Sequence, residues 1–225
     1  NWWKLQLKPD AFITLTEPAT RWAKKYAHPS TKVIKIPNGV DLQTFTPAND
    51  KSQLTNNMPK TVLCTAGLQP YKRVNKLIEA VVCLKTYQNY QDTKLIVCGK
   101  GNEKASLQTL GNKLIGEADF SIISTPYDRM PALYQRSTVF SLPSQPIEAF
   151  GVAYLEALAC NKPVVAPDDE ARRDIIGQAG IYTNVDDKVS YAEAIKKAFE
   201  TEWGNLPRRQ AEKYDWDIIS TTYEK

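Results

Sequence analysis

The sequence has one histidine and four cysteines in 225 residues. Cys64, Cys83, Cys98 and Cys160 form no Cys-x-x-Cys pair, and three of them lie inside apolar stretches. They read as buried thiols of a reducing compartment rather than as a disulfide framework. His28 stands alone and is followed by Pro29 in a loop. Neither a zinc site nor a Ser-His-Asp triad is expected from that inventory. No apolar run approaches the ~20 residues of a membrane-spanning helix. No continuous apolar segment follows the early lysines, as a secretory leader would require. Charge of one sign is also scarce: 29 Lys and Arg face 25 Asp and Glu. So small an excess, without a recognition module, argues against nucleic-acid binding. The first residue is Asn1, so the chain is expected to be processed or part of something longer.

Hydrophobic residues make up 42% and charged ones 24%, the composition of an ordinary globular protein. The basic excess is local. Residues 1–40 hold seven Lys and Arg against Asp10 and Glu17. They form either a solvated helix face or a surface facing an anionic membrane or substrate.

Short apolar runs alternate with longer amphipathic ones. Strands are expected at 61–66, 94–98, 120–123, 139–142, 163–166 and 181–182. Helices are expected after Val74, around Leu107 to Ile115, and at 128–136, 151–160 and 188–201. Val74, Leu77, Ile78, Val81 and Val82 fall on one helical face, as do Leu107, Leu110, Leu114 and Ile115. Strands without strict alternation, separated by helices, indicate a parallel sheet covered on both faces. Right-handed crossovers make it a doubly wound α/β sheet, with ligands outside the carboxyl ends of the strands. The loops at 67–73, 99–103, 123–127, 143–151 and 166–171 are therefore the candidate binding loops. Before this sheet come a strand at 11–15, a basic helix from Glu17 to Tyr26 and a strand at 33–36. Pro37-Asn38-Gly39 is a strong turn signal, and 46–60 reads as a polar loop.

Glu148 precedes the helix expected from 151 and Glu156 lies inside it. Eight helical positions separate two directions by only about 80°, so both carboxylates can face one cleft. The amides after Phe150 and Gly151 would form a helix amino terminus, which favours an anion. Amides for a phosphate and carboxylates for hydroxyls suit a phosphate carrying a sugar. Read separately, the same residues are a helix-capping acid and an exposed helix acid. Lys72 and Arg73, at a strand-to-helix junction, are either diphosphate ligands or two solvated charges. Gly99-Lys100-Gly101 lacks the third glycine of a dinucleotide fingerprint.

In order along the chain stand Ile36-Pro37-Asn38-Gly39-Val40-Asp41, Pro70-Tyr71-Lys72-Arg73-Val74 and Gly99 to Asn102. Glu148-Ala149-Phe150-Gly151 follows, with Leu155-Glu156-Ala157, Lys162-Pro163-Val164-Val165-Ala166 and Trp216. This set, from about residue 10 to about 220, resembles the carboxyl half of a group 1 (family 4) glycosyltransferase of GT-B fold. The resemblance implies a nucleotide-diphosphate sugar as donor substrate, retention of anomeric configuration, and no metal or other cofactor. It casts Glu148 as the acid at the reacting end of the donor sugar and Lys72 as the cation on the leaving diphosphate. Glu156 would bind the ribose hydroxyls. Phe150, Gly151 and Val152 would offer main-chain amides, and Thr125 the main chain that meets the base. The family's Gly-Arg-Leu triplet reads Ala66-Gly67-Leu68 here, so Gly67 stands where an arginine is usual. Arg73 is then a candidate helper of Lys72. Ala149 replaces a usual glycine, and Ile123 another.

The resemblance also implies an organisation. Residues 1–36 would be the end of an acceptor domain, 37–60 a hinge and 61–207 the donor-binding domain. Residues 208–225 would be a helix crossing back. An acceptor glycan or glycolipid would bind the other half, in the cytoplasm, with room for peripheral contact at the inner face of the membrane. The chain alone is then expected to be inactive. The alternatives are a non-catalytic nucleotide-binding or interaction domain on the same scaffold, or another activity of that fold such as a phosphorylase or epimerase.

Overall fold

The computed structural model describes residues 8–48, 59–87 and 90–224. Its first unit is β1 (Ala11–Thr14), α1 (Glu17–Tyr26) and β2 (Lys32–Lys35). Thr16 starts α1 by accepting from the Ala19 amide, and Lys24 and Lys25 lie in its last turn, where cations complement the helix dipole. β1 and β2 pair in parallel, from Ala11 opposite Lys32 to Thr14 opposite Lys35. Buried Thr14 and Thr20 bond through their hydroxyls at 2.7 Å, fastening helix to strand.

A second, six-stranded sheet is built from β3 (Thr61–Thr65), β4 (Lys94–Cys98), β5 (Phe120–Ile123), β6 (Val139–Ser141), β7 (Val164–Pro167) and β8 (Gly180–Thr183). Its order is β5-β4-β3-β6-β7-β8, and every pairing is parallel. The helices between are α2 (Val74–Tyr87), α3 (Lys104–Leu114), α4 (Met130–Arg136), α5 (Val152–Ala159), α6 (Glu170–Ile176) and α7 (Lys188–Glu200). Chain direction across the sheet reverses between β3 and β6, the switch point of a doubly wound fold. Val62, Leu63, Val164, Val165 and Ala166 are fully buried, as strands covered on both faces require. The α/β doubly wound architecture matches the alternation in the sequence.

Several local expectations differ from the structure. Leu114 is 42% exposed, because α3 ends there and lifts away from the sheet. In α2 the buried set extends to Ala80, Cys83 and Leu84, since this helix packs against α7 as well as the sheet. The loop expected at 166–171 ends early. Asp169 caps α6 by accepting from the Arg172 amide at 3.0 Å. The segment from 208 is not one helix. It breaks into α8 (Leu206–Glu212) and α9 (Trp216–Tyr223). Between them the chain bridges to Val40: Val40 N donates to Tyr214 O at 2.8 Å and Trp216 N to Val40 O at 3.3 Å. Most of the polar loop read at 46–60, residues 49–58, lies outside the described residues.

The turn at 37–45 joins the two units. Asp41 accepts from the amides of Gln43 at 2.8 Å and Thr44 at 3.0 Å and from the Thr44 hydroxyl. Those bonds, the hydroxyl foremost, lower its pKa. Arg208 donates to Phe45 O, Leu42 O and Ala159 O at 2.7 to 3.1 Å, clamping the turn to the end of α5. A side chain on Gly39 would run into the Trp216 ring at 2.6 Å. The Pro-Asn-Gly-Val-Asp signature is thus the joint that α9 closes over.

Candidate active site at the carboxyl edge of the sheet

The loops after β3 and β6 face each other across the switch point. After β3 the chain makes a short 3-10 turn, Pro70–Lys72, and passes through Arg73 in the left-handed region, with φ 52°. That kink starts α2 and turns Lys72 back toward the loop after β6. The Lys72 ammonium donates to Glu148 Oε2, and the two side chains are only 12% and 13% exposed. Glu148 lies in a turn, its amide bonded to Gln145 O at 3.0 Å. It is four residues ahead of α5, which runs only from Val152 to Ala159. The helical-rotation argument for pairing Glu148 with Glu156 therefore fails. Lys72 and a turn orient Glu148; helix packing orients Glu156.

Glu156 is held by a buried relay. Tyr134 Oη donates to Glu156 Oε2 at 2.6 Å, and Thr65 Oγ1 lies 2.7 Å from the same phenol. Burial, then the Glu156 charge, pushes the Tyr134 phenol well above its ordinary pKa, so it stays a donor. Burial also raises the Glu156 pKa, opposed by the Tyr134 bond.

Gly151 is the cap of α5, with φ 82° and ψ 66°, and no side chain bonds to the helix start. A Cβ there would meet the Tyr154 ring at 2.6 Å. Val152 is 37% exposed. The Phe150 ring is buried against Tyr214, with centroids 6.2 Å apart. What Phe150 offers the cleft is main chain. Thr125 sits half-buried after edge strand β5, two strands from the switch point.

Arg73 is committed to protein partners, while Gly67 lies open. Arg73 Nε donates to Pro143 O at 2.8 Å, and its Nη1 pairs with Asp186 at 3.0 Å. Its guanidinium ties three loops together. Gly67 is exposed, and a Cβ added to it would meet nothing within 4 Å. Gly99 serves packing: a Cβ there would lie 1.8 Å from Ala66 O, so the loop after β4 can lie directly on the loop after β3.

Residues 45–214 match the family described as "Glycosyl transferases group 1". The chain belongs to that family. It is 28% identical to a phosphatidyl-myo-inositol mannosyltransferase of Mycolicibacterium smegmatis, over 92% of this chain and 54% of that protein. It is 26% identical to the O-antigen chain mannosyltransferase RfbU of Salmonella typhimurium, over 77% of this chain and 46% of that one. The chain thus spans about half the length of these curated relatives. The pneumococcal O-GlcNAc transferase GtfA, solved with UDP and GlcNAc, superposes with a TM-score of 0.80 at 19% identity, over 99% of this chain and 46% of that one. Anabaena HepE, solved with UDP and glucose, gives 0.77 at 19% identity, over 100% and 66%. The fold is that of a GT-B glycosyltransferase.

Three side chains of this candidate site carried little signal in the sequence. Arg172 is 1% exposed and holds the Glu148 loop from below. It donates to Ser144 O at 3.1 Å, Ser144 Oγ at 2.9 Å, Gln145 O at 2.8 Å and Asp169 Oδ2 at 2.6 Å. An arginine in a short polar stretch carries no periodic signal. Tyr134 sits in a helix too short for one. Tyr127 is 63% exposed, and its ring meets Phe45 at 5.6 Å. Its pKa is raised by burial and then by the charge of Glu156. The Ser-Thr-Pro-Tyr run was its only signal.

Proposed function

We propose that this chain binds a nucleotide-diphosphate sugar and serves as the donor-binding part of a retaining glycosyltransferase. The observation that carries the reading is the convergence of the Lys72–Glu148 pair, the uncapped start of α5 and the Glu156–Tyr134 relay at the switch point between β3 and β6. The diphosphate lies against the amides at Gly151 and Val152. Lys72 turns from Glu148 to the phosphate as the donor enters, which frees Glu148 to accept from the sugar. Glu156 accepts from the ribose hydroxyls, and the exposed Tyr127 ring lies beside the base held near Thr125. As the sugar–oxygen bond breaks, charge grows on the departing phosphate. Preorganised amides and the Lys72 ammonium stabilise that charge more than the ground state. An acceptor hydroxyl bonds to the anomeric carbon on the face from which the diphosphate departs, as retention requires; the diphosphate leaves with the bonding electron pair, and its oxygen takes the hydroxyl proton.

Relatives named as GDP-mannose-dependent make GDP-mannose the first donor to test, ahead of UDP- and ADP-sugars. The names of the mannosyltransferase relatives point to a lipid-linked or polysaccharide hydroxyl as acceptor. Residues 1–36 and the α9 region then belong with an acceptor-binding part, and 61–207 is the donor domain. No metal takes part in this reading, and contact with the membrane would come through the acceptor part.

Titration calorimetry tests the site. Lys72→Ala and Glu156→Ala are each expected to weaken GDP or UDP binding by about tenfold or more, the worth of one charge-assisted hydrogen bond. Unchanged affinity in both variants would discard the site.

A further inference from the structure

A cavity of about 660 Å³ opens at the other end of the sheet, around the amino ends of β3, β4, β6 and β7. It is separated from the switch-point loops by the length of the strands. Among the described residues its walls include Lys60, Lys94, Arg136 and Lys162, and no aspartate or glutamate. Phe199 and Trp203 supply an apolar side. The Trp203 indole is fixed by a 2.9 Å bond to Ala198 O, and Phe199 packs on Tyr90 at 5.5 Å. These rings are held in place before anything binds.

Lys162 is the unusual member. It is 5% exposed, yet no described residue offers its ammonium a hydrogen bond or a carboxylate. Its side chain is largely buried while the ammonium itself is not sealed from solvent, and removing much of a cation's water is costly. Burial accordingly lowers its pKa from the ordinary lysine value. The converging carboxyl ends of α4, α5 and α7 put partial negative charge nearby, but less than four full cations require. Of the acids that neighbour the lining residues in sequence, Glu200 accepts from Tyr90 and pairs with Lys196, and Glu202 is exposed. A cavity of this size fits a small organic molecule rather than a lone ion.

We propose that this cavity is a second binding site, for a small phosphate monoester whose dianion pairs with Lys162 and whose body lies against Phe199 and Trp203. Lys94 and Arg136, at the rim, steer and complete the charge. The site is independent of the donor cleft and of the reading given to it.

The test is calorimetry of the 225-residue chain with phenyl phosphate, inorganic phosphate and phenol as probes. Phenyl phosphate is expected to bind more tightly than either of the others. Lys162→Met should weaken it at least about tenfold, and Arg136→Gln by about threefold, as suits a partly screened charge. Lys72→Ala should leave it unchanged. If Lys162→Met does not fold, the double variant Lys94→Gln with Arg136→Gln, both surface changes, decides by the same loss. Absence of binding, phenol binding as tightly as its phosphate, or binding abolished by Lys72→Ala and untouched at Lys162 and Arg136 would overturn the proposal.

Discussion

Glu156 carries a desolvation cost that Tyr134 only partly offsets. Its pKa is raised by burial in the folded chain. Between the ordinary glutamate value and that raised value, the native state therefore holds more protons than the unfolded one. Stability then falls as pH rises through the window, and the full penalty persists above it. Glu156→Gln keeps an acceptor for Tyr134 and removes the charge. It is expected to melt at a higher temperature than the parent at pH 7. The difference should close as pH falls toward the ordinary glutamate value. Melting curves at the two pH values check this, and an equal shift at both would contradict it. Gly67 offers a gain instead of a loss. Open space surrounds the point where its Cβ would stand, and Arg73 is committed to Pro143 and Asp186. Gly67→Arg should supply a second cation and tighten nucleotide-diphosphate binding several-fold, on the order of 1 kcal/mol. Weaker or equal binding by calorimetry would show that this edge does not meet the diphosphate.

At the scale of elements, the site depends on loops that no regular structure orients. The turn bearing Glu148 is fixed by Arg172 reaching up from α6 to Ser144 and Gln145. Removing that guanidinium strands several buried acceptors. Arg172→Leu is expected to destabilise the chain by about 3 kcal/mol or more, whereas exposed Arg173→Ala should leave stability nearly unchanged. Urea denaturation of both variants checks the contrast. The strands and longer helices were legible because burial on two faces leaves unbroken apolar runs and burial on one leaves a 3.6-residue period. α6 and α8 were not. Capping and tertiary contacts, rather than an apolar period, support both. The break at Lys213–Asp215 was invisible for a related reason: a bridge to Val40, far away in sequence, stops the helix there.

The whole molecule leaves apolar side chains at its margins. Ile13 is 44% exposed, Trp22 45%, Trp216 44% and Ile218 53%. They lie on β1, α1 and α9, the elements outside the six-stranded sheet. An acceptor-binding part that covers them would also close the cleft. The prediction is that the 225 residues bind nucleotide diphosphate but transfer no sugar by themselves. A donor-consumption assay with GDP-mannose and a lipid or glycan acceptor measures it, and turnover by this chain alone would refute it.

The amino-acid sequence by itself determined the α/β class and the parallel order of strands and helices, and marked the loops of one edge as the candidate binding loops. Those follow from local periodicity and from the rule that loops at one end of a parallel sheet converge. Only the tertiary structure decided how the charges are used. It paired Lys72 with Glu148, drew Arg73 into a loop clamp, gave Glu156 a phenol partner, and placed Lys162 at the opposite end of the sheet with no partner among the described residues. Such partnerships join residues tens of positions apart, and their energies depend on burial and distance, which no stretch of sequence contains.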